Sequence, residues 1–262
     1  MSSADRLLAL LDLFSDEKSV WTAEDAAAAL EVSVSTSYRY IRSLCEAEML
    51  VPVTGDGYRL GPAILKYDRL IRVTDPLLEA ARPIVVQLAK DAGEARTVFL
   101  SRLYRDTVMC VLHGGGAGAT QNISYERGRP MPMFRGATSK IILAHLPRRT
   151  LKRLYEAKAE LIAESMGVRE WREFLDILRE IRRVGHCRAE GEVDPGIAGI
   201  AAPVFDDHGC VTGSLTITGN ASHMSVLEAN QLAELVTNCA EAVTVKLAQS
   251  GASVPFSPRI VA

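Results

Sequence analysis

The 262-residue chain contains no apolar run near the roughly 20 residues that a membrane-crossing helix requires. Its opening, MSSADRLLALLDLF, has neither the basic start nor the small-residue cleavage site of a secretory signal. These two absences lead to the expectation of a soluble, cytoplasmic protein with no membrane partner. The five cysteines (Cys45, Cys110, Cys187, Cys210 and Cys239) are widely spaced, odd in number, and never arranged as C-x-x-C. That pattern argues against a disulfide framework or a zinc site, and no metal or cofactor is expected.

Positive charge is also in short supply. Thirty Lys and Arg face 32 Asp and Glu, for a formal net charge of −2. The first sixty residues hold five basic side chains (Arg6, Lys18, Arg39, Arg42, Arg59) and twice as many acids. Bulk charge therefore excludes diffuse attraction to nucleic acid. Only a local basic face could support DNA binding.

Site chemistry of the enzymatic kind is missing as well. Cys110 and His113 are near neighbours in sequence, but a dyad needs a third orienting group. The glycine run at 114–118 lacks the lysine–hydroxyl ending of a phosphate-binding loop and the dinucleotide fingerprint. His186 and Glu190 are four apart in a segment that reads as a strand. No catalytic residue is assigned, and the chain is not expected to be an enzyme.

What is present is globular: 48% hydrophobic and 24% charged residues. Residues 5–14 place Leu7, Leu10, Leu11 and Phe14 on one helical face. Thr22-Ala-Glu-Asp25 has the form of a capping box, predicting a second helix to Leu30. Ser33 is a good N-cap for a third helix over 33–44, with Ser37, Ile41 and Leu44 facing inward. The run MLVPVTGDGYRLG then carries turn residues between β-prone ones, predicting a hairpin. Three short helices and a hairpin are the pattern of a winged helix-turn-helix over 1–61.

The outward face of the third helix presents Ser35, Thr36, Tyr38, Arg39 and Arg42. Hydroxyls and guanidiniums of this kind suit phosphate and guanine contacts, and recognition helices read bases through their N-terminal residues. Ser35, Thr36 and Arg39 are therefore candidates for base or nearby phosphate contacts, and Arg42 and Arg59 for backbone contacts. A polar face also suits a protein-interaction module; the preceding helices and the hairpin favour double-stranded operator DNA.

Residues 62–75 read as a linker helix, and the character changes at Asp75-Pro76. A helix over 77–92 precedes strands at 97–103, 107–113 and 120–125, with Arg105 among the polar residues between the first two and a glycine loop before the third. Helices are predicted at 139–145, 149–156 and 169–184, strands at 197–205 and 211–218 about a 206–209 turn, and a last helix at 225–248. This order predicts an α+β domain over 76–250, of GAF/PAS-like type, with a mostly antiparallel sheet. The tail, 251–262, is expected to be disordered.

Five stretches carry a family resemblance: RLLALLDLF, STSYRYIRSL, GYRLGPAIL, GATSKIILAHLP and GIAGIAAPVFDDHGCVTGSLTITG. In this order they resemble the IclR family of bacterial transcriptional regulators, from about Arg6 to Leu247. The family often has proline and a basic residue where this chain has Ser33 and Val34, and glycine where it has Ser139. The resemblance implies a C-terminal domain that binds a small metabolite and so changes operator affinity. By motif it implies Ala137, Thr138, a residue near Ala189 or Glu190, Gly199, Thr216 and Thr218 as effector contacts. The residues add that a helix starting near Ser139 would aim N–H groups at an anion, with the Thr138 and Ser139 hydroxyls completing the seat. An organic acid is the expected effector class. Met109, Tyr125, Met131 and Phe134 suit either pocket lining or ordinary core. A homodimer is expected, through the first helix and the linker helix, with pairing into a tetramer implied by the resemblance.

Overall fold

The computed structural model describes residues 2–104, 107–115 and 125–251. The chain divides into two units, each with its own core, and the boundary falls between Thr74 and Asp75.

In the first unit, α1 (Ser3–Ala9) begins with a reciprocal box in which Ser2 and Asp5 each accept the other's backbone N–H. A 3₁₀ turn (Leu11–Leu13) follows, so the helix expected over 5–14 is shorter and starts earlier. The tightened turn still keeps Leu7, Leu10, Leu11 and Phe14 on the core. Strand β1 (Trp21–Thr22) leads into α2 (Ala23–Ala29). Thr22 Oγ1 accepts the Asp25 N–H at 3.1 Å, but the expected box is one-sided. The Asp25 carboxylate is held by Lys18 Nζ at 2.7 Å instead.

Ser33 caps α3 (Val34–Glu46) by accepting the Thr36 N–H, and Ser37, Tyr40, Ile41 and Leu44 are its buried face. The hairpin is β2 (Leu50–Val53) against β3 (Gly57–Leu60). β1 pairs with the other edge of β3, Trp21 opposite Tyr58. Two residues carry no periodic signature, so this strand is invisible in sequence. Helix α4 (Ala63–Thr74) closes the unit, exposing Leu65, Leu70, Ile71 and Val73.

In the second unit, Asp75 caps α5 (Pro76–Ala92), accepting the Leu77 N–H at 2.9 Å and that of Leu78 at 3.4 Å. Its other carboxylate oxygen accepts from Arg102 at 2.7 Å. There follow β4 (Thr97–Tyr104), β5 (Thr107–Gly115), β6 (Pro130–Met131), α6 (Ala137–His145), α7 (Arg148–Ala157), α8 (Ala159–Met166), α9 (Trp171–Val184), β7 (Cys187–Glu190), β8 (Ile197–Phe205), β9 (Val211–Asn220) and α10 (Val226–Gln249). The strand expected at 120–125, apart from Tyr125, and the tail beyond Gly251 lie outside the described residues. So do most of the glycine loop, from residue 116 on, and the polar pair 105–106.

Among the described residues the strands of this unit form one antiparallel sheet in the order β6-β5-β4-β9-β8-β7. Leu100, Ile200, Leu215 and Ile217 face α5 and α10, whereas Phe99, Cys110, Ala189 and Ala201 share a core with α6, α7 and α9. Strand β9 is buried from Val211 to Gly219, so Thr216 and Thr218, alternating with Leu215 and Ile217, point away from the α10 face. The hairpin joining β8 to β9 is fastened by Asp206, whose Oδ1 accepts the N–H groups of His208 and Cys210. Helix α8, unexpected from sequence, supplies one buried side chain, Ile162.

Candidate DNA face and ligand cavity

On α3, Tyr38, Arg39 and Arg42 are exposed and border a groove of about 560 Å³ with Pro52 and Tyr58 of the hairpin. The structure thus brings the arginines together with the wing. Two acids flank them. Arg42 Nε is paired with Glu46 Oε1 at 3.0 Å, and the Tyr38 hydroxyl donates to Glu24 Oε1 at 3.3 Å. Glu24 also pushes the Tyr38 phenol pKa up. The Ser35 and Thr36 hydroxyls cluster on the cap, 3.1 and 2.8 Å from Ser33 Oγ. Arg59 is not part of this groove. It follows Tyr58 in β3 and so takes the opposite sheet face, bordering a separate cleft with Phe14, Asp16 and Val20.

The second candidate site lies where the first turn of α6 meets β8 and β9. Ala137, Thr138, Gly199, Thr216 and Thr218, far apart in sequence, line one small cavity of about 10 Å³. That is about the space of a single water. Thr138 Oγ1 and Thr216 Oγ1 are 3.1 Å apart, Ser214 donates to the Thr138 carbonyl, and Thr218 Oγ1 donates to the Thr97 carbonyl. A Cβ placed on Gly199 would meet Thr218, Ala137 and Thr216 at 3.4 to 3.9 Å, so the missing side chain is part of the cavity.

Two expected contacts fall outside it. Helix α6 starts at Ala137, two residues before the expected start, and Gly136 is its N-cap. Thr138 is therefore inside the helix, and Ser139 is turned into the core, its hydroxyl without a hydrogen-bond partner among the described residues. In β7 the pleat turns Cys187 and Ala189 inward and Arg188 and Glu190 outward. Ala189 lines the cavity; Glu190 is exposed, 3.5 Å from Arg188. Period-two alternation would have decided between them.

The remaining walls come from Tyr125, Glu192, Val193, Asp194 and Ile197, of which sequence reading proposed Tyr125 alone. Tyr125 stacks on Phe99 with centroids 4.4 Å apart, and burial, helped by Asp194 and Glu192, holds its phenol well above the usual pKa range. Glu192 takes the helix N-terminus: Gly136 N–H donates to Oε2 at 2.8 Å and Lys140 Nζ to Oε1 at 2.5 Å. Gly136 itself has φ +80°, and a Cβ there would lie 2.8 Å from Val193, so both conformation and space demand glycine. Met131 and Phe134 belong to the core. Cys110 is buried with its thiol pushed up to about 11, while His113 is exposed, which does not make a nucleophile pair. Among the described residues no cluster of three metal-capable side chains occurs, and no helix is long and apolar enough to cross a membrane.

Residues 72–245 match the family described as bacterial transcriptional regulator IclR C-terminal, and residues 3–53 match the IclR helix-turn-helix domain. The chain is 25% identical over 250 residues to the HTH-type transcriptional regulator BhcR of Paracoccus denitrificans, spanning 93% of this chain and 86% of that protein. In structure it is similar to an IclR transcriptional regulator from Silicibacter sp. TM1040, with a TM-score of 0.78 and 22% identity over 97% of this chain and 98% of that one. It is also similar to an IclR homologue from Microbacterium hydrocarbonoxydans crystallised with 4-hydroxybenzoate, with a TM-score of 0.75, 18% identity, and coverage of 94% and 99%.

Proposed function

The chain belongs to the IclR family of bacterial transcriptional regulators, and from that membership we propose a cytoplasmic regulator whose operator affinity is set by a small organic acid bound in its C-terminal cavity. The family comprises regulators with a DNA-binding helix-turn-helix and an effector-binding C-terminal domain.

The observation that carries the proposal is the convergence of Ala137, Thr138, Gly199, Thr216 and Thr218 on one cavity at a helix N-terminus. A helix N-terminus favours an anionic group. The complex of the Microbacterium relative with 4-hydroxybenzoate, a carboxylic acid, supports the same class. On the DNA side, Arg39 and Arg42 supply direct contacts from the exposed face of α3, with Ser35, Thr36 and Tyr38 beside them. Arg59 is left for the edge of the wing, away from the helix groove. The exposed apolar side chains of α4, with Leu8 of α1, suit a homodimer interface that presents two recognition helices to paired half-sites. Effector binding changes operator affinity only if the acid prefers one arrangement of the DNA-binding units over the other.

The test is salt-dependent binding of the full chain to the DNA upstream of its own gene, beside the Arg39→Ala, Arg42→Ala double variant. The expected result is specific binding by the parent protein and its loss in a variant that stays folded. Equal binding by both would move the DNA contact away from α3.

A further inference from the structure

The start of α6 and Lys140 make a small electropositive seat inside the C-terminal unit. Both oxygens of the Glu192 carboxylate sit in it, Oε2 on the Gly136 N–H at 2.8 Å and Oε1 on the Lys140 ammonium at 2.5 Å. This is how a small acid would be held at a helix N-terminus beside a counter-ion. The pair is largely withdrawn from water, with side-chain exposures of 15% for Lys140 and 31% for Glu192. The same carboxylate walls the cavity that Thr138, Gly199 and Thr216 line.

Glu192 is carried by the turn 191–196 between β7 and β8. The glycines at its two ends, Gly191 and Gly196, have φ +66° and +76°, a conformation that glycine adopts without strain. The base is tied by two backbone hydrogen bonds, Gly191 N–H to Ile197 O and Ile197 N–H to Asp194 O. Asp194 rides on the same turn. With the turn seated, the Glu192 carboxylate occupies both the Gly136 N–H and the Lys140 ammonium that an incoming anion would need. Moving the turn withdraws the Glu192 carboxylate and uncovers the N–H of Gly136, which borders the cavity, together with its neighbour Lys140.

We propose that Glu192 is an internal substitute for the effector's acid group, and that a carboxylate effector binds by taking its place on Gly136 N–H and Lys140. This rests on the reading of the effector as an organic acid. The competing account is that Glu192 only caps α6, in which case its removal weakens the fold and leaves ligand affinity unchanged.

Binding against an intramolecular carboxylate lowers apparent affinity by the fraction of molecules in which the turn is displaced. Glu192→Gln keeps an oxygen for the Gly136 N–H but has no charge for Lys140, so it raises that fraction. The experiment is calorimetric titration of the full chain with pyruvate, succinate and 4-hydroxybenzoate, and with glycerol as an uncharged control. Melting temperature is recorded alongside. An acid that binds the parent protein is expected to bind E192Q about tenfold or more tightly, with glycerol unaffected. The gain is expected to disappear in the Lys140→Met, Glu192→Gln double variant. Should E192Q fold poorly, Glu192→Asp, which keeps the charge but shortens the reach, is expected to show a smaller gain.

Acid binding that is unchanged or weaker in both Glu192 variants overturns the substitution and leaves the organic-acid reading standing. A gain that survives loss of Lys140 overturns the seat as drawn. If none of the acids binds either the parent or E192Q, the inference and the organic-acid reading fall together.

Discussion

The hydroxyls of Thr138 and Thr216 lie 3.1 Å apart, joining the first turn of α6 to β9 across 78 residues of chain. Each residue is 1% exposed, so neither hydroxyl faces bulk solvent. Replacing either threonine alone with valine strands the other, at a cost of about 1–3 kcal/mol, whereas replacing both removes donor and acceptor together. Urea unfolding of T138V, T216V and the double variant is expected to give strong coupling, with the double variant more stable than the sum of the singles implies. Additive losses would mean that the pair contributes nothing as a pair.

Arg42 Nε is paired with Glu46, 3.0 Å away on the next turn, and that carboxylate competes with a phosphate for the guanidinium. Exposed pairs of this spacing are worth about 0.3–0.5 kcal/mol. Glu46→Gln is therefore expected to tighten DNA binding about twofold, while Arg42→Ala weakens it and reduces the salt slope by about one. Fluorescence anisotropy across a salt series separates the two effects. An E46Q variant that binds more weakly would place Glu46, and not Arg42, at the contact.

Gly199 borders the cavity without a positive φ, and a Cβ there meets its neighbours at ordinary contact distances, 3.4 Å and beyond. Gly199→Ala is expected to fold normally and to fill the space that the effector needs. Overpacking by one methyl costs about 1–3 kcal/mol, so the DNA response to the acid should require about tenfold more ligand. Titrating operator release against acid concentration reads this directly. An unshifted midpoint would exclude Gly199 from the binding wall.

His145, at the end of α6, packs edge-on against Phe205 and has its pKa lowered to about 4 from an ordinary 6.5, first by burial and then by Arg182. Between those two values the unfolded chain binds the proton and the folded chain does not, so stability increases with pH across the window. Acidification from pH 6.5 towards 4 is expected to lower the melting temperature progressively, with no further contribution from this group below the lower value. His145→Leu is expected to flatten that part of the profile. An equal slope in the variant would assign it to other groups.

Much of the fold was legible from short-range patterns. Ser33 and Thr22 announced their helices because a hydroxyl placed before a periodic run satisfies a free N–H locally, as both do here. The strands over 197–205 and 211 onward were legible because alternation along β9 records which side chains face α10. Strand β1 was not legible, since its two residues are a strand only because Tyr58 and Gly57 lie opposite them. Nor was the one-sided cap of α2, which depends on Lys18 drawing Asp25 outward.

The candidate sites divide in the same way. The outward set on α3 followed from helical spacing, whereas Thr216 and Thr218 were implied by the family resemblance, strand spacing adding only that they share a face. Arg59, offered as a backbone contact on the hairpin, lies on the sheet face opposite Tyr58, as alternation along β3 requires. Ser139 was misplaced because α6 starts two residues earlier than its side chains suggest, at a glycine held in a positive-φ conformation.

Sequence by itself determined the family, the helix-turn-helix, the antiparallel sensor sheet and five of the cavity residues, because each is written in local periodicity or in contiguous motifs. Only the tertiary structure decided what occupies the start of α6. Glu192 lies 56 residues from Gly136 and 52 from Lys140, and nothing in a turn rich in acids and glycines marks one carboxylate over another. The sheet register that brings β7 beside β8, and the turn that follows from it, carry that carboxylate to a helix N-terminus where its charge is satisfied.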